Sequence, residues 1–261
     1  MRWECLVSDK LRVVVVTVEE AFYVCANFSA FVEDLRVASH LAIPLVAIQH
    51  AFRESKSALA RRMWGFFGPV GFVKTATRYA MVKATDRTVQ RLLADWGFPC
   101  QPIPNVNAPA FVDRVSSLYP DVLLSVAAPQ IFKTPLLSTS SWGCITAHSG
   151  PLPRYRGMPP TFWQLFHAEP RIGITVHTMV PKIDGGDILR QEYTAVQPRE
   201  SLDSGIRRTK CMAARMVVDT LLQIADGSVS RAPMNLDEGS YFSFPTAAEA
   251  RQLRARGGRL I

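Results

Sequence analysis

No apolar run in this chain of 261 residues reaches the roughly 18 to 20 that a bilayer-spanning helix needs. The longest, Val13 to Val16, Trp64 to Val73 and Val122 to Ile131, all fall short, so no transmembrane segment is expected. The first ten residues carry Glu4, Asp9 and Lys10 around a short apolar patch. That is not the basic, apolar, small-residue order of a secretory signal, and a cytoplasmic protein is expected. CxxC pairs are absent too. The five cysteines, Cys5, Cys25, Cys100, Cys144 and Cys211, are odd in number and widely spaced, which argues against a disulfide framework or a zinc site and for buried thiols. Gly-x-Ser-x-Gly is missing, so Ser149 is not framed as a nucleophile elbow. His148, His167 and His177 stand 19 and 10 residues apart, which matches no familiar metal-ligand spacing, and no metal is expected.

What the chain does have is 48% hydrophobic residues, enough for a substantial core, and a net charge of +8. Positive potential favours a polyanion, which nucleic acid, an acidic membrane or a phosphorylated small substrate would each satisfy. The arginines are scattered, apart from those between Arg251 and Arg259.

Leu11 to Val18 is a β-branched run, apolar throughout, as a strand buried on both faces should be. Phe28, Phe31, Val32 and Leu35 then recur at helical spacing. Leu45 to Ala51 reads as a second strand. Val89, Leu92, Leu93 and Trp96 form a helical face that stops at Gly97, and another helix begins near Asn107 with Pro109 in its first turn. The strand Val122 to Val126 follows. Alternating strands and helices imply an α/β fold, a mostly parallel Rossmann-like sheet with helices on both faces. Ile172 to Val180 and Ile188 to Val196 read as two strands joined by a glycine loop. A long helix is expected from a cap at Ser201 to a stop at Gly227. The core is therefore placed at 1–227, with 228–261 a short C-terminal appendage, too small to fold alone.

Residues 53–83 fit this scheme poorly. Trp64-Gly-Phe-Phe-Gly-Pro-Val-Gly-Phe-Val73, flanked by Arg61, Arg62 and Lys74, reads as a helical insertion packed on its own core, or as a membrane or subunit contact.

A strand from Gly143 to Ala147 would deliver His148 to its carboxyl end, and Ser149-Gly-Pro-Leu-Pro153 can neither extend a strand nor begin a helix. Ligands of open α/β sheets bind at that edge, although a lone histidine there is more often structural than catalytic. The loop Lys182-Ile-Asp-Gly-Gly-Asp187 offers Asp184 as a carboxylate, and its glycines allow close backbone approach. A carboxylate beside an imidazole fixes its orientation and favours its charged form.

His148-Ser-Gly-Pro-Leu-Pro-Arg-Tyr-Arg-Gly157, then Gly173-Ile-Thr-Val-His177, then Ile183-Asp-Gly-Gly-Asp-Ile188, resembles the core of the folate-dependent formyltransferases. That superfamily includes the glycinamide ribonucleotide, methionyl-tRNA and nucleotide-linked amino-sugar enzymes. The match is dense from about Pro120 to Gln191 and compatible in layout back to Leu11. The resemblance implies a formyltransferase fold with 10-formyltetrahydrofolate as formyl donor. It also implies Gln130, Ile131 and Phe132, largely through their backbone groups, with Val180 and Asp184 as folate contacts, and His148 and Asp184 as catalytic residues. In the implied mechanism a neutral amine attacks the formyl carbon, His148 in its charged form stabilises the oxyanion, and Asp184 orients it.

One position departs. The family's usual asparagine, two residues before the histidine, is Thr146 here. Losing an oxyanion donor costs on the order of 100 to 1,000-fold in rate, and a threonine hydroxyl reaches less far than an amide. Either Thr146 serves within an adjusted catalytic set, or the protein is an impaired folate or nucleotide binder.

The methionyl-tRNA enzymes carry a further C-terminal barrel for which no length remains after Gly227, so a nucleic-acid substrate is disfavoured. Val16 to Tyr23, Ala128 to Phe132 and Tyr241 to Thr246 resemble the amino-sugar members more loosely. These imply a nucleotide-linked amino sugar as substrate, with Arg154 and Arg156 either meeting its phosphates or bracing the loop, and a homodimer as a possible assembly. Another small amine, or water, remains open as acceptor.

Overall fold

In a computed structural model of the protein, which describes residues 10–20, 23, 31–35, 38–50, 55–85 and 88–261, the first β-branched run is strand β1 (Leu11–Glu19). Its Val13, Val14, Val15 and Val16 are buried from both faces. β2 (Leu41–His50) pairs with β1 in parallel. It starts earlier than the expected Leu45, because Pro44 is tolerated inside it. The short β3 (Cys100–Pro102) pairs only with Val46 to Ile48, so the missing N–H of Pro44 costs no ladder bond on that side. On the other side the β1 register shifts between Arg12 and Val14. Ala51 and Phe28 lie outside the described residues, while residues 31–35 are helical with Phe31, Val32 and Leu35 buried.

β4 (Val122–Val126) and β5 (Gly143–His148) complete the parallel set. Arg156–Gly157 is a two-residue strand, β6, outside the main sheet. β7 (Arg171–Thr178) and β8 (Ile188–Ala195) then close the far edge with antiparallel pairings, in the order β3-β2-β1-β4-β5-β7-β8.

Helices cover both faces of this sheet. The insertion is one long helix, α1 (Lys56–Ala84), kinked at Gly68 just before Pro69. α2 (Val89–Asp95) and α3 (Pro109–Ser116) follow, then the single turn α4 (Thr134–Leu137) and α5 (Pro160–Phe166). α6 (Leu202–Ala225) opens on a capping box at Ser201 and ends before Gly227, whose φ of 76° suits a residue without Cβ. Val13, Val15, Val122, Leu124 and Ile145 pack on Met216, Val217 and Leu221 of α6. Val14, Val16, Leu123 and Cys144 pack on Phe111, Val115 and Leu136 from the opposite side. Cys144 is a buried thiol, but Cys211 on α6 is exposed, contrary to expectation.

Residues 228–261 are built into the core. β9 (Tyr241–Phe242) pairs with β6, and Arg259 and Leu260 accept hydrogen bonds from the amides of Leu202 and Asp203. The last helix, α7 (Ala247–Ala255), lies on α1. Its Leu253, with Leu260, joins Phe66, Tyr155, Phe162 and Trp163 in a third apolar cluster.

Candidate active site

Alternation along β5 decides where His148 points. Ile145 belongs to the α6 side and Cys144 to the other, so the His148 ring follows Cys144. Its Nε2 lies 2.7 Å from the Tyr155 carbonyl oxygen, which can only accept, so Nε2 carries the proton and Nδ1 is left facing the site. A Cβ on Gly150 would come within 2.9 Å of Nε2, and glycine is what lets the chain pass the ring.

Asp184 is brought to Nδ1 by its loop. Arg156 donates from Nε and Nη2 to the Ile183 carbonyl at 3.1 and 2.6 Å, and the Gly157 amide donates to Asp184 Oδ2 at 2.9 Å. Asp184 itself sits at φ 47°, in the left-handed region that an aspartate tolerates better than most residues. Gly186 passes so close to the Thr178 carbonyl that no side chain would fit. Thus Oδ2 is pinned, and Oδ1 stands 3.7 Å from His148 Nδ1 and 3.8 Å from His177 Nε2.

His177 is therefore part of the same constellation. It is only 2% exposed, its Nδ1 donates to the Thr178 carbonyl at 2.7 Å, and its buried Nε2 has no hydrogen-bond partner. Burial and the neighbouring His148 push its pKa down to about 4, against the opposing pull of the Thr178 carbonyl and Asp184. At neutral pH it is an uncharged ring presenting a lone pair. In the sequence His177 ended one of the three stretches that carry the resemblance and was weighed as a metal ligand, but was given no part in catalysis. The usable signal was its position on β7 directly across from Thr146. His167 stays apart, packed among Tyr155, Trp163, Phe166 and Phe242. Among the described residues no cluster of His, Cys, Asp and Glu could hold a metal ion.

The remaining expected residues divide. Thr146 Oγ1 donates to the Ser125 carbonyl at 3.0 Å, so its one proton is spent on the neighbouring strand. Gln130 spans the turn after β3, accepting from the Val106 amide and donating to the Pro104 carbonyl. Ile131 is 60% exposed and Val180 41%, whereas Phe132 is a core side chain at 2%. Arg154 pairs with Glu169 at 3.3 Å. Arg156 braces the Asp184 loop through the Ile183 carbonyl.

A cavity of about 90 Å³ opens at the carboxyl ends of β4 and β5, lined by Phe31, Ser125, Val126, Ala147, Ser149 and Lys210 among others. Ala147 faces it, so it lies across the strand end from the His148 ring. Lys210 projects from α6, and burial holds its ammonium below the usual lysine range, with Glu20 opposing.

Residues 82–221 match the model of the formyl transferase family. The chain belongs to that family. The formyl transferase fold is shared with glycinamide ribonucleotide transformylase 1 from Symbiobacterium toebii, at a TM-score of 0.62 and 14% identity over 87% of this chain and 95% of that one. A sugar N-formyltransferase from a Shewanella species superposes at 0.59, with 16% identity over 90% and 77% of the two chains. An N-formyltransferase from Helicobacter canadensis, in complex with folinic acid and dTDP-3-aminofucose, superposes at 0.60, with 12% identity over 94% and 80%. The matched region of this formyl transferase holds the whole His148, His177 and Asp184 constellation and Lys210. It begins only at the last residues of α1 and ends within α6.

Proposed function

We propose that the protein transfers a formyl group from 10-formyltetrahydrofolate to the amine of a nucleotide-linked amino sugar, with His148 and Asp184 as its catalytic pair. The observation that carries this is the pinned carboxylate of Asp184 facing His148 Nδ1 at the carboxyl edge of the sheet. The residues present fit a folate. Ile131, Val180 and Ile183 are exposed aliphatic side chains suited to a flat ring. When bound, the folate supplies the formyl carbon. His148 in its charged form holds its second proton on Nδ1 and sets positive charge where the formyl oxygen gains negative charge. Asp184 orients His148, receives the proton that the amine releases and returns it to the folate nitrogen as the bond between that nitrogen and the formyl carbon breaks, so that an amide and tetrahydrofolate leave. His177, kept neutral, leaves the Asp184 charge uncompensated on its own side, so His148 is the partner that answers it.

A phosphate of the acceptor is assigned to the cavity of about 90 Å³ on the other side of the strand end, which has room for such a group and not for the whole sugar nucleotide. Lys210 there suits an anionic group such as a sugar nucleotide's phosphate, which also agrees with the net charge of +8. A thermal-shift screen tests this. Folates and nucleotide-linked amino sugars are each expected to raise Tm, because a ligand bound only by the folded state stabilises it. Lys210→Met is expected to abolish the sugar-nucleotide shift and keep the folate shift. Loss of both, or of neither, would count against this assignment.

A second reading, a folate or nucleotide binder without turnover, is favoured by one observation: the Thr146 hydroxyl is committed to Ser125. Ligand-induced shifts with no product under any acceptor would select it.

A further inference from the structure

Helix α1 carries a feature that formyl transfer does not use. Nearly all of it precedes the family match, and over Lys56–Ala84 it holds six basic residues and no acidic one. Beyond the kink, Val70, Val73, Lys74, Thr77, Ala80 and Met81 recur at spacings of three and four and are all exposed, so they form one stripe along the helix. Val70 is 72% exposed, Val73 59% and Met81 63%, and Trp64 before the kink is 51% exposed. Off the stripe the helix is held down, by Arg78 pairing with Asp203 of α6 at 3.0 Å beyond the kink and by Phe66 before it. Phe66 packs in the cluster with Tyr155 and Phe162, and Arg254 of α7 donates to the Phe66 carbonyl at 3.3 Å. That contact brings the arginine-rich end of the chain alongside, with Arg251, Arg254, Arg256 and Arg259 against a single Glu249 between residues 247 and 261.

We propose that the exposed face of α1 docks on an anionic lipid bilayer, lying in the interface with its aliphatic stripe inward and its exposed Arg61 and Lys74 among the headgroups. No described helix is long and apolar enough to cross a membrane, so the contact is peripheral. Charge selects this occupant. A symmetric pairing of two copies through α1 would set two acid-free basic segments against each other, and neutral headgroups would leave that charge unanswered. Nucleic acid would be met by a row of stacking rings and guanidinium groups, whereas the stripe beyond the kink presents Val70, Val73, Ala80 and Met81, and the exposed rings of Trp64 and Tyr79 stand outside it. Lys74, inside the stripe, can bury its aliphatic stem and lift its ammonium to the headgroups.

The test is co-sedimentation of the full chain with phosphatidylcholine vesicles and with vesicles containing phosphatidylglycerol. The wild type is expected to sediment with the anionic vesicles only, and less at high salt. Val70→Asp with Val73→Asp, and separately Arg61→Glu with Lys74→Glu, are each expected to lower the bound fraction about tenfold. All four positions are exposed, so melting temperatures should be unchanged. The proposal is overturned if the wild type ignores anionic vesicles, binds neutral ones equally, or is matched by both variants. It is also overturned if the aspartate variant converts a dimer to a monomer in sedimentation equilibrium without any vesicle binding.

Discussion

Asp184 Oδ1 is shared by two histidines that differ in kind. Tyr155 fixes the proton of His148 on Nε2, Thr178 fixes that of His177 on Nδ1, and only His177 is sealed from solvent with an unpartnered nitrogen. That difference has a stability consequence. An unfolded histidine titrates near its usual value, about 6.5, whereas folded His177 stays neutral down to about 4. Between those values the unfolded chain binds a proton that the folded chain refuses, so stability falls as pH drops through this window and is full above it. Thermal melts from pH 7 to pH 4 should show Tm declining, and His177→Gln should flatten that decline. An equal slope in both proteins would remove His177 from the account. Thr146 gives a second expectation at this scale. With its proton on Ser125, Thr146→Val should cost about 1 kcal/mol of stability and change kcat by less than about threefold. A loss on the order of 100-fold would mean that the hydroxyl turns to the oxyanion during the reaction.

Among the elements, the two-stranded contact between β6 and β9 governs the site. Gly157 sits at φ 89° with its Cα hydrogen against the Phe242 carbonyl, and its amide holds Asp184. Gly157→Ala would drive a methyl group into that carbonyl. It is expected to lower stability by about 1 to 3 kcal/mol and to lower kcat at the same time, because the Asp184 anchor moves with the strand. Melting and steady-state rates measured together would check it, and a fall in Tm with kcat intact would disconnect the contact from the chemistry. This coupling was not legible in the sequence. Arg156 and Gly157 belonged to the recognised stretch, but their partners on β9 come from residues set aside as an appendage. By contrast, β1, β4, β5 and α6 were legible, because buried strands need β-branched apolar runs and a capped helix announces itself through Ser201 and Gly227. Pro44 hid the start of β2, since its tolerance depends on how far β3 extends.

At the scale of the molecule, the sheet order sets the division of labour. β5 carries His148 on one face and Ala147 on the other, so the side proposed for the folate and the Lys210 cavity meet at one strand end. The motif stretch made the meeting of His148 and Asp184 at this edge readable. The cavity was not, because Lys210 stands on a helix whose sequence otherwise reads as ordinary amphipathic packing, and only the fold brings it to β4 and β5. The central claim is one-carbon transfer at this edge. It is tested most directly by incubating the protein with 10-formyltetrahydrofolate labelled in its formyl carbon and a panel of nucleotide-linked amino sugars, then following the label by mass spectrometry. The account predicts label in an amide of one sugar nucleotide and its disappearance with His148→Ala. Label released as formate without any acceptor, or transferred equally well by His148→Ala, would contradict it.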